Sequence, residues 1–494
     1  MNISKTAIVA GAVVAAALPV FPAAAQVAQR PEDIHYQPLD FQPPSATDFR
    51  TELSSGVSVY LAPSDEFPLV TITFSFKGGD YLDPADKVGL ARMTGAMIRR
   101  GGSESVTADD LDDQFDFLAA NVSVRSGATQ STASLNTLAS NLDDAFGLFM
   151  DMLVHPGFQS DKVEIYRTET IERMKQRNDD AGSILRREWS AMLYGRDHFP
   201  ALQPTIDTIN AITVADLFAF QKKVFQPGNL IIGVTGDFDT QDMLNRLENA
   251  LSGWERRAPI PDPVVEAHAF DPGVYYVEKD IPQGKVDIGQ IGVSRDDPDY
   301  FPLLVMNNIL GGGGFTSRIM SKVRSDEGLA YSAGSRMSMP AYYPGIFQAF
   351  FQSKNRTVAL ATKLIMNEID RIRTAPVSEQ ELETAKSSFI ETFPRRFESK
   401  AATVRTFIDD EWTHRAPGYW KTYRDNIAAV TTNDVMQVAQ RHLDPEQMAI
   451  LVVGKWDAIA PGDLEGRASM AEFFDGKYTE LPMRDPLTLK PPMK

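Results

Sequence analysis

Strands and helices are predicted in clusters along this chain rather than in strict alternation. Apolar and polar positions alternate, as in half-buried strands, over residues 56–77 and again over residues 122–135. Clustered elements of this kind favour an α+β fold with antiparallel sheets packed against helices. Helical spacing of apolar residues covers these segments: Val88–Arg100, Leu111–Leu118, Leu142–Val154 and Asp161–Tyr194.

An internal repeat gives the organisation of the chain. Ile209–Asp239 aligns with Ile427–Asp457 at a constant offset of 218 residues without a gap, and nine of the 31 positions are identical. Both copies carry a helix-capping Thr, a Pro near the end of the helix, and an apolar run that ends at Gly. The repeat predicts two homologous domains, at residues 50–256 and 273–494, joined by a Pro-rich linker over residues 257–272.

The N-terminus has the features of an export signal. Residues 1–25 contain Lys5, an apolar run over Ala7–Val20 and the small residues Ala23–Ala25. We therefore expect cleavage near Ala25 and a periplasmic protein, whose residues 26–49 form an extended arm. An uncleaved membrane anchor is the alternative.

Composition narrows the possible functions. The 494 residues include 66 acidic and 49 basic ones, a net charge of −17, which argues against nucleic acid as a partner. The chain has no cysteine, so disulfides, thiolate metal sites and cysteine nucleophiles are excluded. Its six histidines are scattered, with no two within ten residues of each other, so the sequence has no local pair of zinc ligands.

The segment Gly89–Gly102, GLARMTGAMIRRGG, resembles the zinc-binding helix of the pitrilysin/insulinase family of metallopeptidases. That family carries H-x-x-E-H in this place, in which two histidines hold zinc and the glutamate activates water. The corresponding positions here are Arg92, Gly95 and Ala96, and none of these residues ligates zinc or acts as a general base. We therefore expect this chain to bind no metal.

The family also supplies a third zinc ligand, a Glu some distance along the chain. Glu164, Glu169 and Glu172 lie in the corresponding region. Without histidine partners, these residues are expected to be acidic positions on a solvated helix, next to the basic residues Arg167 and Arg173.

The segment Asn307–Ser335 contains the strongest functional signal. Gly311, Gly312, Gly313 and Gly314 allow unusual dihedrals and the close approach of another backbone. Thr316 or Ser317 is expected to cap the next helix, and Gly328 is placed to end it before a strand over Leu329–Gly334.

This segment resembles the family's substrate-facing element, L-G-G-G-F-x-S-R followed by an Arg and a Tyr. The matching residues here are Arg324 and Tyr331, seven positions apart. The resemblance implies that Arg324 binds a substrate carbonyl or carboxylate and that Tyr331 donates its hydroxyl to the developing oxyanion. It also implies that the glycine run contacts substrate and that the two domains close like a clam shell around a chamber.

A missing zinc helix together with a retained Arg–Tyr pair indicates a division of labour. We expect a non-catalytic, substrate-binding subunit of a periplasmic heteromeric zinc metallopeptidase that acts on peptides or small unfolded proteins. A homologous partner subunit would carry the zinc, and this chain alone would be inactive. The alternative is a non-enzymatic scaffold or peptide-binding protein of the same fold. An autonomous enzyme has no residue constellation to support it.

Overall fold

The computed structural model describes residues 40–265 and 268–492. The predicted signal peptide and residues 26–39 of the predicted arm lie outside this part of the chain. Within it, two six-stranded sheets with flanking helices confirm the α+β fold and its two homologous halves. No helix in the described ranges has both the length and the apolar character needed to cross a bilayer.

The first sheet draws its strands from residues 50–236. They are Arg50–Glu52 (β1), Ser58–Pro63 (β2), Leu69–Lys77 (β3), Asn121–Ser126 (β4), Gln130–Leu138 (β5) and Leu230–Gly236 (β6). Their spatial order is β1-β2-β6-β3-β5-β4, and all neighbours are antiparallel except β2 and β6. In β3, Val70, Ile72, Phe74 and Phe76 are fully buried, which accounts for the alternation seen in the sequence.

Helices of the first half occur in three places: between β3 and β4, between β5 and β6, and after β6. They are Leu90–Arg100 (α1), Ala108–Phe117 (α2), Leu142–Val154 (α3), Ser160–Lys175 (α4), Ala181–Tyr194 (α5), Ile206–Ala211 (α6), Val214–Val224 (α7) and Thr240–Leu251 (α8).

The second sheet draws its strands from residues 273–480. They are Gly273–Glu278 (β7), Gln283–Ile291 (β8), Ala330–Met337 (β9), Ile346–Lys354 (β10), Ala449–Gly454 (β11) and Tyr478–Glu480 (β12). The order β12-β7-β11-β8-β10-β9 repeats that of the first sheet, but the edge strand next to β7 comes from the C-terminal end of the chain. β7 is parallel to both of its neighbours.

Helices of the second half are less regular than those of the first. They are Tyr300–Asn307 (α9), Arg318–Met320 (α10), Val358–Thr374 (α11), Glu379–Thr392 (α12), Lys400–Trp412 (α13), Tyr419–Ala429 (α14), Thr432–His442 (α15) and Trp456–Ile459 (α16). Helix α9 continues as a π-helical turn over Asn308–Gly312, and α10 does so over Ser321–Asp326.

The sequence repeat corresponds to a repeat of structure. Adding 218 to the numbers of the first and last residues of α7 gives the first and last residues of α15. Both helices begin with a capping box, in which the backbone N–H of Thr213 donates to Asp216 and that of Thr431 donates to Asp434. The following strands β6 and β11 both end at a glycine, as the aligned sequences predict.

A helix from each half packs on the sheet of the other half. Helix α5 of the first half covers the second sheet, where Trp189 and Ile184 are buried with Leu451 of β11. At its N-terminus, Asp180 pairs with Lys285 of β8 at 3.2 Å. The equivalent helix α13 ends 218 residues after α5 and lies on β2 and β6 of the first sheet.

Polar contacts at the end of α13 fix this exchange. The Glu411 carboxylate accepts hydrogen bonds from Arg50 (3.0 Å), Ser58 (2.6 Å) and Tyr60 (2.6 Å) of the first sheet. These hydrogen bonds lower the pKa of Glu411, although burial acts in the opposite direction. The two halves are therefore joined by reciprocal packing as well as by the chain connection.

The predicted linker is held against the first half at its start. The Gln226 side chain accepts a hydrogen bond from the backbone of Arg257 at 2.9 Å, and Asn229 accepts one from Ile260 at 2.8 Å. Ile260 is buried in the first core. The domain boundaries themselves stay a prediction.

Two segments differ in detail from the sequence pattern. The alternation over residues 122–135 is a hairpin of β4 and β5, and the buried positions change from even numbers in β4 to odd numbers in β5 across the turn. The helical region over Asp161–Tyr194 is divided between Lys175 and Ala181, where Asp180 caps α5 and thereby starts the helix that crosses to the second sheet.

The packing of α13 on the first sheet predicts the effect of adding one methyl group at Gly233. A Cβ on this β6 residue would lie 2.6 Å from Val404 Cγ1 and 2.8 Å from Ile408 Cδ1 of α13. Gly233→Ala is therefore expected to lower the free energy of unfolding by about 1–3 kcal/mol through overpacking. Urea unfolding measures the change.

Gly147→Ala is the matched control, because a Cβ there meets nothing within 4 Å on the exposed face of α3. That change should raise the free energy of unfolding by about 0.5–1 kcal/mol. Equal effects of the two substitutions would contradict the packing of α13 on the first sheet.

Candidate functional site

The helix that resembles the zinc-binding element is α1, and its three key positions have structural roles. Arg92 is exposed, and its Nε and Nη2 both donate to Asp80 Oδ2, at 2.9 and 2.7 Å. Gly95 is buried and Ala96 is half-buried. A guanidinium, a hydrogen and a methyl group therefore occupy the places that two imidazoles and a carboxylate would need.

Gly95 also lacks the space that a side chain would need. A Cβ at this position would lie 2.9 Å from both the backbone nitrogen and the Oγ of Ser126 in β4. A glutamate here would collide with the strand backbone, which has little freedom to move. The residues present therefore do not fit the zinc ion of the family.

Aspartates at the start of α1 complete this structural role. Asp83 accepts hydrogen bonds from the backbone N–H groups of Gly89 and Ala91, both at 2.8 Å, and so caps the helix. Burial raises the pKa of Asp83 to about 7, in spite of these two bonds. Burial also raises the pKa of Asp80, against the opposing effect of Arg92.

The glutamates in the region of the family's third ligand lie on α4 and pair with basic side chains. Glu169 binds Arg100 at 2.9 Å, Glu164 binds Arg167 at 3.3 Å, and Glu172 binds Lys175 at 2.6 Å. These contacts agree with the prediction of a solvated helix face. Arg173, expected beside them, stacks on Tyr166 and donates a hydrogen bond to Thr170.

One group of three potential metal ligands occurs in the described residues, at Asp297, Asp299 and His442. Asp299 already accepts hydrogen bonds from Arg441 at 2.8 and 2.9 Å and contacts His442 Nε2 at 2.7 Å. These two partners lower the pKa of Asp299, although burial opposes them. The carboxylate is thus neutralised by protein groups, and the cluster is better explained as an ion-pair network.

The glycine run in the second half is packed helix and turn rather than a free loop. Gly311 is buried, and a Cβ on it would lie 2.3 Å from the backbone nitrogen of Ser335 in β9. The backbone that the run was expected to approach is therefore the chain's own strand. Gly312 and Gly314 are exposed, and Gly314 has φ of +64°, a conformation that favours glycine.

The segment after the glycines is firmly anchored. Ser317 precedes α10, and its hydroxyl donates to Gly314 O at 2.7 Å. The buried Arg318 guanidinium makes a bidentate pair with Glu381 of α12, at 2.6 and 3.0 Å. Although burial opposes it, hydrogen bonds from Arg318 and Ser378 lower the pKa of Glu381 to about 2. The pair therefore stays charged at any physiological pH.

Gly328 ends this helical segment as the sequence predicts. It has φ of +63°, and its N–H donates to Arg324 O at 3.0 Å, while Leu329 N–H donates to Val323 O at 2.9 Å. Strand β9 begins two residues later, so Arg324 lies in the last helical turn and Tyr331 is the second residue of an edge strand.

The structure brings Arg324 and Tyr331 together and adds a third member. The guanidinium carbon of Arg324 lies 4.6 Å from the centre of the Tyr331 ring and 4.7 Å from that of Phe315. Both residues are exposed, Tyr331 at 84% and Phe315 at 69% of the full residue area. Phe315 directly follows the glycine run, and the sequence alone indicates no role for it.

The N–H groups of Arg324 are not used within the protein. In residues 40–265 and 268–492, its guanidinium makes no ion pair or hydrogen bond, and the Tyr331 hydroxyl makes no hydrogen bond. Stacking between two rings holds the guanidinium plane and leaves its edge available to an oxygen acceptor. This arrangement can bind a carbonyl or carboxylate and place a hydroxyl donor beside it.

Comparison with known proteins identifies what this chain is similar to. Residues 211–389 match the family described as "Peptidase M16 inactive domain", and this range contains the glycine run, Arg324 and Tyr331. The "Non-peptidase homolog YmxG" of Helicobacter pylori is 25% identical over 78% of this chain and 89% of its own length. The chain is therefore similar to M16-type proteins, including ones described as inactive or non-peptidase. An "Uncharacterized zinc protease" of Streptomyces coelicolor is 23% identical over 69% of this chain and 75% of its own length.

Solved structures show the same fold as this M16-like chain. The M16 inactive domain of Pseudomonas fluorescens superposes with a TM-score of 0.73 at 23% identity, over 82% of this chain and 97% of that one. The periplasmic protease PqqL of Escherichia coli gives a TM-score of 0.67 at 17% identity. That likeness covers 82% of this chain and 45% of PqqL.

The contact between α1 and β4 predicts the effect of a single substitution. Gly95→Ala is expected to lower the free energy of unfolding by about 1–3 kcal/mol, although alanine is the better helix former. The clash with Ser126 is the cause, and urea unfolding is the measurement. Ala96→Ser, one residue further along the same helix, is the control and should change stability by less. A stabilising effect of Gly95→Ala would contradict the packing described here.

Proposed function

We propose that this protein is the non-catalytic, substrate-binding subunit of a periplasmic heteromeric zinc metallopeptidase. The observation that carries the proposal is the Arg324 guanidinium, held between Phe315 and Tyr331 with its donors unused. A homologous partner subunit supplies the zinc ion and its ligands, while this chain binds no cofactor. The substrates are peptides or small unfolded proteins.

The division of roles follows from the two halves. Helix α1 has neither the ligands nor the space for zinc, so bond cleavage requires another chain. Arg324 and Tyr331 offer a fixed cation and a hydroxyl donor at an exposed edge, where a partner's substrate is accessible. Gly312 and Gly314 are exposed, and Gly314 directly precedes Phe315, so this turn would leave room for a substrate backbone.

The periplasmic location is supported by the export features of the sequence and by the fold shared with a periplasmic protease. The same signal, with cleavage near Ala25, would deliver a heterodimer to that compartment. Nucleic acid is not a partner in this proposal, since the chain carries a net charge of −17.

Reconstitution tests the proposal. The partner is isolated by co-purification with this chain from the native periplasm, and cleavage of an unstructured peptide is followed for each chain and for the mixture. The mixture should cleave, and this chain alone should not. Tyr331→Phe should lower kcat of the mixture by roughly 10²–10³-fold, the usual effect of removing an oxyanion donor.

Tyr478→Phe is the matched control, because Tyr478 is also exposed but lies on the opposite edge strand of the same sheet. Its kcat should equal that of the unmodified mixture. Full activity of Tyr331→Phe with the partner would overturn the assigned role and favour a scaffold. Cleavage by this chain alone would overturn the whole proposal.

A further inference from the structure

A second potential binding site lies in a cavity of about 910 Å³ that no part of the Arg324 site lines. The turn between β4 and β5, at residues 128–130, forms one wall. The loop between β9 and β10, at residues 340–343, forms another. Residues 389–423 from α12 to α14, together with Arg295, Tyr300 and Leu304, form the rest. Its volume is within the range of about 300–1,000 Å³ that is common for ligand sites.

The cavity is positively charged in a strongly acidic chain. Three carboxylates line it, at Glu398, Asp409 and Asp410. Five arginines line it as well: Arg295, Arg395, Arg396, Arg405 and Arg415. The chain as a whole carries a net charge of −17, so a cluster of five guanidinium groups in one cavity is unusual. Such a cluster indicates a role in binding rather than in solubility.

Two of these arginines are paired with carboxylates of the protein. Arg415 pairs with Asp410 at 2.9 Å, and Arg295 pairs with Asp296 at 3.1 Å and donates to Thr413 O. The other three are not. Within the described ranges, no carboxylate lies within 4 Å of the guanidinium groups of Arg395, Arg396 and Arg405.

Aromatic packing fixes the position of the central arginine. The Arg396 guanidinium lies 4.4 Å above the Trp420 ring, and Trp420 is 8% exposed. The indole N–H donates to Asp410 at 2.5 Å, which holds the ring in place. Beside it, Phe393 and Tyr423 stack with ring centres 5.2 Å apart. A guanidinium on a rigid platform presents its N–H edge to a ligand at a small entropic cost.

The carboxylates of the cavity weaken its positive charge only in part. Asp410 is occupied by Trp420 and Arg415. Burial raises the pKa of Asp409 and of Asp410, so both hold a proton more readily than an exposed aspartate does. The free donors of Arg395, Arg396 and Arg405 therefore determine which ligand the cavity accepts.

We infer that this cavity binds acidic peptide segments, with Arg395, Arg396 and Arg405 as the carboxylate-binding residues. Planar guanidinium forks match carboxylates in a bidentate way, and the walls from Tyr342, Tyr343 and Phe393 suit apolar side chains between the acidic ones. A nucleic acid is disfavoured as the ligand, because its dense negative charge would be repelled by a chain whose net charge is −17. This inference requires neither a partner subunit nor the Arg324 site, so it can fail or hold independently of the proposed function.

Fluorescence anisotropy with the intact chain alone tests the inference. The probe is a short fluorescein-labelled peptide of alternating Glu and Phe, and its counterpart carries Gln in place of Glu. The Glu peptide should bind saturably and weaken as salt is added, and the Gln peptide should bind at least about tenfold more weakly. The triple variant Arg395→Gln, Arg396→Gln, Arg405→Gln should lose at least about tenfold in affinity for the Glu peptide.

A matched triple variant removes three positive charges elsewhere: Lys222→Gln, Arg256→Gln and Arg356→Gln, all at exposed positions. It should bind the Glu peptide as the unmodified chain does. If circular dichroism shows that the glutamine variant is unfolded, a variant with lysine at the three cavity positions replaces it in the test. The lysine variant keeps the positive charge but should still bind the Glu peptide more weakly, because the planar guanidinium fork is lost.

Three results would overturn the inference. They are equal binding of the Glu and Gln peptides, an equal loss of affinity in the matched variant, and displacement of the peptide by oligothymidylate at lower concentration than by unlabelled peptide.

Discussion

The reciprocal exchange of α5 and α13 is the interaction on which the rest of the structure depends. Each sheet buries one face under a helix from the opposite half, and Glu411 and Asp180 fix the two crossings with polar contacts. Because of this exchange, the β4–β5 turn of the first half and residues 389–423 of the second half lie along one cavity. A rearrangement of the halves would have to break both packed faces together.

The two homologous halves differ in the functional groups that they carry. In the first half, the key positions of α1 have structural roles: Arg92 pairs with Asp80, and Gly95 packs against the backbone of Ser126. In the second half, Arg324 remains unpaired between two exposed rings. One half has therefore become a support, while the other keeps groups that can act on a ligand. This asymmetry is consistent with the proposed role of a subunit that binds substrate for a zinc-bearing partner.

Local features of the fold could be predicted from the sequence, and long-range ones could not. The bounds of α3, the repeat offset, and the helix stop at Gly328 follow from apolar spacing, capping residues and glycine. The exchange of α5 is invisible in the sequence, because a helix shows the same apolar face whichever sheet it covers. For the same reason, the arginine cavity could not be foreseen: Arg295 is far in sequence from Arg395 and Arg405, and only the fold brings them together.

Metal content is the most direct test of the central claim that this chain cannot perform peptide cleavage by itself. The purified protein is dialysed against zinc, passed through a desalting column, and analysed by inductively coupled plasma mass spectrometry alongside a peptidase assay. The account predicts far less than one zinc per chain and no cleavage. One retained zinc per chain together with cleavage by the isolated protein would contradict it.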